Sequence, residues 1–192
     1  MPMRNLIVVA FLEPVTEGME FPRDAWPLHI TLVKFDVVDP LPADAGDGDG
    51  DYDVDAGGGK SAGGTAVAGD SLASQVAGRM DAPVRAALGS AVTVGLEAGF
   101  GRAGSIPVSL IEPSATLQAL HEALVGVVAA LPGRIATPGY TMAGYRPHVS
   151  HRGGKAPRAG GQLALDRIAL VDMAPDGGHA TRRVLRLWEA TL

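Results

Sequence analysis

Cysteine is absent from the chain, which excludes disulfides, thiolate metal sites and a cysteine nucleophile, and is compatible with a reducing cytoplasm. Aromatic residues are sparse, at 5% of the 192 positions. No apolar stretch approaches the roughly 20 residues of a spanning helix. The one segment that resembles a signal sequence is Leu6 to Leu12, with Arg4 ahead of it. It sits at the short limit, and Glu13-Pro14 follow without a small-residue cleavage site, so it reads as a buried first strand. The expectation is a cytoplasmic protein with no membrane association.

Glutamate is missing from one long segment where aspartate is abundant. Asp36 to Asp70 holds nine Asp, no Glu and one Lys, a local charge of −8, whereas the rest carries 12 acids and 15 bases, a charge of +3. The net charge of −5 therefore belongs to one segment, attached to a mildly basic body. That body bears Arg146, Arg152, Lys155 and Arg158 close together in sequence, so a phosphate-bearing substrate is electrostatically reasonable. Residues 40–69 are almost entirely Gly, Asp, Ala and Pro, a composition unable to bury enough apolar surface to offset ordering entropy. They read as a disordered insertion loop in a chain of 192 residues, a length that fits one domain or two small lobes sharing one cleft.

Outside the insertion, strands are expected at Arg4–Leu12, Leu28–Val38, Ala91–Leu96, Ile106–Ile111, Arg146–Arg152, Gln162–Met173 and Arg183–Trp188. Leu72, Val76, Met80, Val84 and Leu88 recur at helical spacing, with Pro83 expected to kink or split that helix. Ser114 is an expected N-cap, followed by a stripe of Leu117, Leu120, His121, Leu124, Val127, Val128 and Leu131 that stops at Pro132-Gly133. Strands arriving in pairs point to an α+β fold with antiparallel sheets.

Three familiar signals fail on context. Gly99 to Gly104 matches GxGxxG, but a strand-like Ile-Pro-Val-Ser-Leu-Ile follows instead of the helix a dinucleotide site requires. Gly59-Lys60-Ser61 lacks the earlier glycine of a phosphate loop. The alternating aspartates from Asp47 to Asp55 lack the terminal glutamate of a calcium loop.

The chemistry resides in histidines. His29-Ile-Thr31 and His148-Val-Ser150 each follow a proline closely and open an expected strand, and positions i and i+2 of a strand share a face. Each imidazole thus emerges beside a hydroxyl, with Ile30 and Val149 pointing to the core. Two imidazoles titrating near neutrality can act as base and acid on either side of a phosphodiester, while Thr31 and Ser150 bond its non-bridging oxygens. His179-Ala-Thr181 repeats the pattern in a turn and is read as coincidental. Arg152 is in register with His148 and is a candidate phosphate ligand. Tyr145 is a candidate substrate contact by stacking or at the cleft rim. His151 and Lys34 fall out of register with the pair, His121 lies on an apolar helical stripe, and Trp26 and Trp188 read as core or rim packing.

The paired motifs resemble the two HxT/S signatures of the 2H phosphoesterase superfamily, and within it the 2′-5′ RNA ligase and 2′,3′-cyclic phosphodiesterase family. The strand, Gly-turn, strand and helix block from Val92 to Leu124 is similar to the segment this family carries between its motifs. The likeness covers most of the chain outside residues 40–69. It implies a bilobal 2H phosphoesterase-like fold: two antiparallel sheets with pseudo-twofold symmetry, helices outside, and one motif from each lobe facing a central cleft. It also implies a metal-independent phosphodiesterase without cofactor, acting as a monomer on an RNA terminus or small nucleotide with a 2′,3′-cyclic phosphate or 2′-5′ linkage. The alternatives are a non-catalytic nucleotide-binding module with the same cleft, and a hydrolase of 2′-5′ oligonucleotide or cyclic-dinucleotide signals. Ser150 stands where Thr is commoner, and keeps the hydroxyl.

Overall fold

The computed structural model describes residues 2–41 and 70–191. The insertion expected at residues 40–69 therefore lies almost wholly outside the described residues, as do Gly59 to Ser61 and the aspartates from Asp47 to Asp55.

Apolar, β-branched residues make the first strand. β1 (Met3–Phe11) is buried from Leu6 to Phe11 without alternation, as expected for a strand covered on both faces. It lies between β3 (His29–Val38) and β9 (Arg167–Asp172), antiparallel to both. β10 (Thr181–Glu189) adds to β9, and the short β2 (Glu20–Pro22) adds to β10. The second half consists of β7 (His148–Ser150), β5 (Ile106–Ile111), β4 (Ala91–Phe100) and β8 (Gln162–Ala164) in that order. The halves meet where Ile30 of β3 faces Val149 of β7, and β6 (Gly133–Arg134) pairs with the far end of β3. The two expected sheets are thus two arms of one strand path, joined through the motif-bearing strands.

Helices α1 (Ser71–Ala87) and α2 (Ala115–Ala129) pack on one face of this path. Asp70 caps α1 by accepting from the Ala73 N–H at 3.0 Å, and Ser114 caps α2 by accepting from the Leu117 N–H at 3.2 Å; both satisfy a donor left over at a helix start. α1 runs through Pro83 without splitting. The buried Met80 and Val84 to either side hold it against the sheet. Val8, Ile30, Leu32, Val149, Met80 and Leu124 belong to the large core on this face. A smaller core of Ile7, Val9, Phe11, Phe21, Trp26 and Val171 fills the opposite face beside the cleft.

Two strands differ from expectation. The apolar run from Gln162 to Met173 is divided between the halves: β8 pairs with β4, and β9 pairs with β1 and β10. Leu165 is buried and donates to the Ser90 carbonyl, while Asp166 accepts from the Ala190 N–H, so the chain crosses over at this point. β7 is only three residues long, shortened by Pro147, which has no amide to donate, and by Gly153 and Gly154, whose φ values of 54° and 76° turn the chain.

The flanks of the insertion are tied together at the end of β3 remote from His29. Arg4 bonds Asp70 and Asp172 at 2.7 Å each and lies 3.6 Å from Asp39.

Candidate active site

β1 positions the first motif. Phe11 pairs with His29, and Val9 with Thr31, so all four side chains share the face of the smaller core. The pairing of Ile30 with Val149 makes Ser150 the cross-strand neighbour of His29, and His148 that of Thr31. The two histidines are then diagonal neighbours, a relation that spans about 7–8 Å between adjacent strands. The sequence pattern and the register together create a square of two imidazoles and two hydroxyls.

Both imidazoles are wired alike. His29 Nδ1 donates to the Pro27 carbonyl at 2.8 Å, and His148 Nδ1 donates to the Arg146 carbonyl at 2.9 Å. A carbonyl can only accept, so each Nδ1 carries a proton and each Nε2 remains for chemistry. Their surroundings differ. His29 is half-buried and packs against Trp26 at 4.5 Å and Phe11 at 5.9 Å between ring centroids. Burial pushes its pKa from 6.5 down to about 4; the Pro27 carbonyl opposes the shift, and Arg152 and His148 add to it. Among the described residues His148 meets one ring, Phe100, in a T-shaped contact at 4.5 Å, and Arg146 lies over the Phe100 ring at 5.0 Å.

Arg152 continues the β7 face one step beyond Ser150, and its charge reaches His29. Its backbone pairs in both directions with Lys155, whose ammonium meets Glu13 at 2.6 Å. The other Glu13 oxygen accepts from the Leu28 N–H at 2.6 Å, so the loop after the second motif is fastened directly to the start of the first.

A cavity of about 440 Å³ opens beside Thr31 and His148. It exists because β3 loses its neighbour between the contact with β7 at Ile30 and the contact with β6 at Asp36. Side chains satisfy carbonyls in this gap. Tyr145 Oη donates to the Thr31 carbonyl at 2.9 Å, and His121 Nδ1 donates to the Leu32 carbonyl at 2.6 Å. The two rings stack at 3.8 Å with 3° between their planes. His121 Nε2 accepts from the Met142 N–H at 3.0 Å, which fixes the outer wall. Burial lowers the His121 pKa and raises that of Tyr145. With both nitrogens committed, His121 serves structure, and the Tyr145 hydroxyl is occupied within the wall that its ring helps to form.

Lys34 departs from expectation. The register between β1 and β3 shifts between Val8 and Val9, which pair with Val33 and Thr31. The extra residue is Leu32, and this bulge inverts the alternation. Lys34 therefore pairs with Ile7, on the His29 face, and lines the cavity. Strict period-two counting puts it on the wrong side. His151 does face away: its Nε2 is 2.8 Å from the buried Ser109 hydroxyl. Gly99 and Phe100 end β4, paired with Pro107 and Ile106 of β5, and the turn between the two strands has φ of 74° at Gly101 and 68° at Gly104. His179 lies in a turn. Phe100 was legible only as part of that Gly-rich turn, and nothing in the sequence marked it as the partner of His148.

No protein-family model matches the chain, and no curated protein matches its sequence. Among solved structures, a phosphoesterase matches over 100% of both chains at 16% identity, with a TM-score of 0.52. E. coli LigT complexed with 3′-AMP matches over 100% of both chains at 13% identity, also with a TM-score of 0.52. At such identities the likeness establishes the fold. The chain has the α+β architecture of these phosphoesterases, and more particularly the LigT-like curled antiparallel sheet.

Proposed function

We propose that this protein is a two-histidine phosphodiesterase that opens 2′,3′-cyclic phosphates at a ribose, without a metal. The observation that carries this reading is the pair of imidazoles with identical Nδ1 wiring on adjacent strands, each beside a hydroxyl. The fold shared with a phosphoesterase and with LigT supports it, as does the 3′-AMP bound by the latter.

The two histidines take different roles. His29, held neutral by burial, accepts a proton from the attacking water through Nε2. The new P–O bond forms as the bond from phosphorus to one ribose oxygen breaks, and His148 delivers its Nε2 proton to that oxygen. The product is a nucleoside monophosphate. The cavity adjoins His148 and Thr31, which seats the nucleoside on the leaving side and matches His148 to the departing oxygen. Thr31 and Ser150 donate to the non-bridging oxygens, and Arg152 offsets the charge that develops on them.

The test is hydrolysis of a nucleoside 2′,3′-cyclic phosphate by the wild type and by His29→Ala and His148→Ala, with and without EDTA. The expected outcome is turnover indifferent to EDTA and a loss of about 10²- to 10⁴-fold in each variant. Full activity in either variant, or loss of wild-type activity with EDTA, overturns the mechanism.

A further inference from the structure

The cavity beside His148 is charged in one sense only. Among the described residues its ionisable lining consists of Lys34 and Arg146 with four neutral-capable rings, His121, Tyr140, Tyr145 and His148, and no carboxylate. The Arg146 guanidinium lies over Phe100, the ring that His148 meets. Lys34 is exposed, and no carboxylate pairs with it among the described residues. The Leu32 bulge is what turns it toward the cleft, and the bulge is braced by the His121 bond to the Leu32 carbonyl. A mid-strand lysine on a cleft face, without a counter-ion among the described residues and three positions along β3 from Thr31, can receive an anion.

We propose that Lys34 receives a second phosphate of the substrate, the one attached to the 5′ oxygen of the nucleoside that occupies the cavity. This rests on the reading above for the position of the first phosphate, and it narrows the substrate class. The preferred substrate is a nucleotide with phosphate on both sides of its ribose, either a 5′-phosphorylated mononucleotide or the terminal residue of an oligonucleotide, over a nucleoside that carries only the cyclic phosphate.

The experiment is calorimetric binding, which does not require turnover. Adenosine 3′,5′-bisphosphate and 3′-AMP are titrated into the wild type, Lys34→Met and Lys34→Arg. The wild type should bind the bisphosphate about 10-fold more tightly, the contribution of one charge-assisted contact. Lys34→Met should bring the two affinities within about twofold of each other, and Lys34→Arg should retain most of the preference. Raising the salt concentration should erode the wild-type preference. Equal affinities in the wild type, or an undiminished preference in Lys34→Met, overturns the proposal. Lys34 is exposed, so its replacement spares the core. A parallel turnover assay with the 5′-phosphorylated nucleoside 2′,3′-cyclic phosphate and a linear dinucleotide ending in a 2′,3′-cyclic phosphate separates the two sources of the second phosphate. Failure of turnover with the binding preference intact counts against the catalytic reading alone.

Discussion

The two motif strands carry the same wiring in different surroundings. At His29 and at His148 alike, Nδ1 is bound to the carbonyl two residues earlier and a hydroxyl follows two positions later. His29 packs against Trp26 and Phe11, whereas His148 rests on one ring at the mouth of the cavity. Hydrogen bonding alone would make the two imidazoles interchangeable. Desolvation lowers the His29 pKa, and the proposed mechanism takes His29 as the proton acceptor for that reason.

The largest effects should come from deleting either side of the comparison. His29→Ala and His148→Ala each remove a proton carrier, and the double variant should be little worse than either single one, since the two act as a unit. Steady-state kinetics on a cyclic nucleotide reads this, and full additivity would count against concerted roles. Next in size are the hydroxyls. Thr31→Val and Ser150→Ala should each cost about 10-fold in kcat/KM through lost contacts to the phosphoryl oxygens; equal and negligible losses would remove the hydroxyls from the site.

The surroundings themselves can then be exchanged. Trp26→Leu removes one ring packed against His29 and should move the acid limb of kcat/KM upward, toward 6.5, by about one pH unit. Phe100→Leu, on the other side, should raise KM and leave the acid limb in place. An acid limb that moves in both variants, or in neither, would break the assignment of the asymmetry to burial.

The smallest effect concerns stability. Folded His29 takes its proton near pH 4, and the unfolded chain takes it near 6.5. Between those values the unfolded state holds more protons, so acid favours unfolding. The stability linked to this residue is fully present above about pH 6.5 and declines as the pH falls toward about 4. Denaturant titrations at pH 7 and pH 5 should show a smaller drop for His29→Gln, which has nothing to protonate there, than for the wild type.

The extent to which this was legible in the sequence follows from how local each determinant is. His29, Thr31, His148 and Ser150 could be read because a strand puts alternate residues on one face, and Arg152 follows from the same rule. The long elements were also legible: β1, β3, α1 and α2 stand within a few residues of their hydrophobic patterns, and the Ser114 cap is as expected. What escaped depends on partners distant in the chain. The division of Gln162 to Met173 between two halves leaves no mark on hydropathy, because both halves are apolar. Lys34 was put on the wrong face because a bulge is a property of two strands in register, and neither strand declares it alone. The roles of His121 and Tyr145 arise from an open stretch of the β3 edge, which exists only once β6 and β7 have docked.

The central claim, that desolvation fits His29 to act as the base, is tested most directly by the pH dependence of kcat/KM for hydrolysis of a nucleoside 2′,3′-cyclic phosphate by the wild type. The account predicts activity that persists well below pH 6.5 and falls away on a limb approaching about 4. An acid limb at 6.5 or above would contradict it.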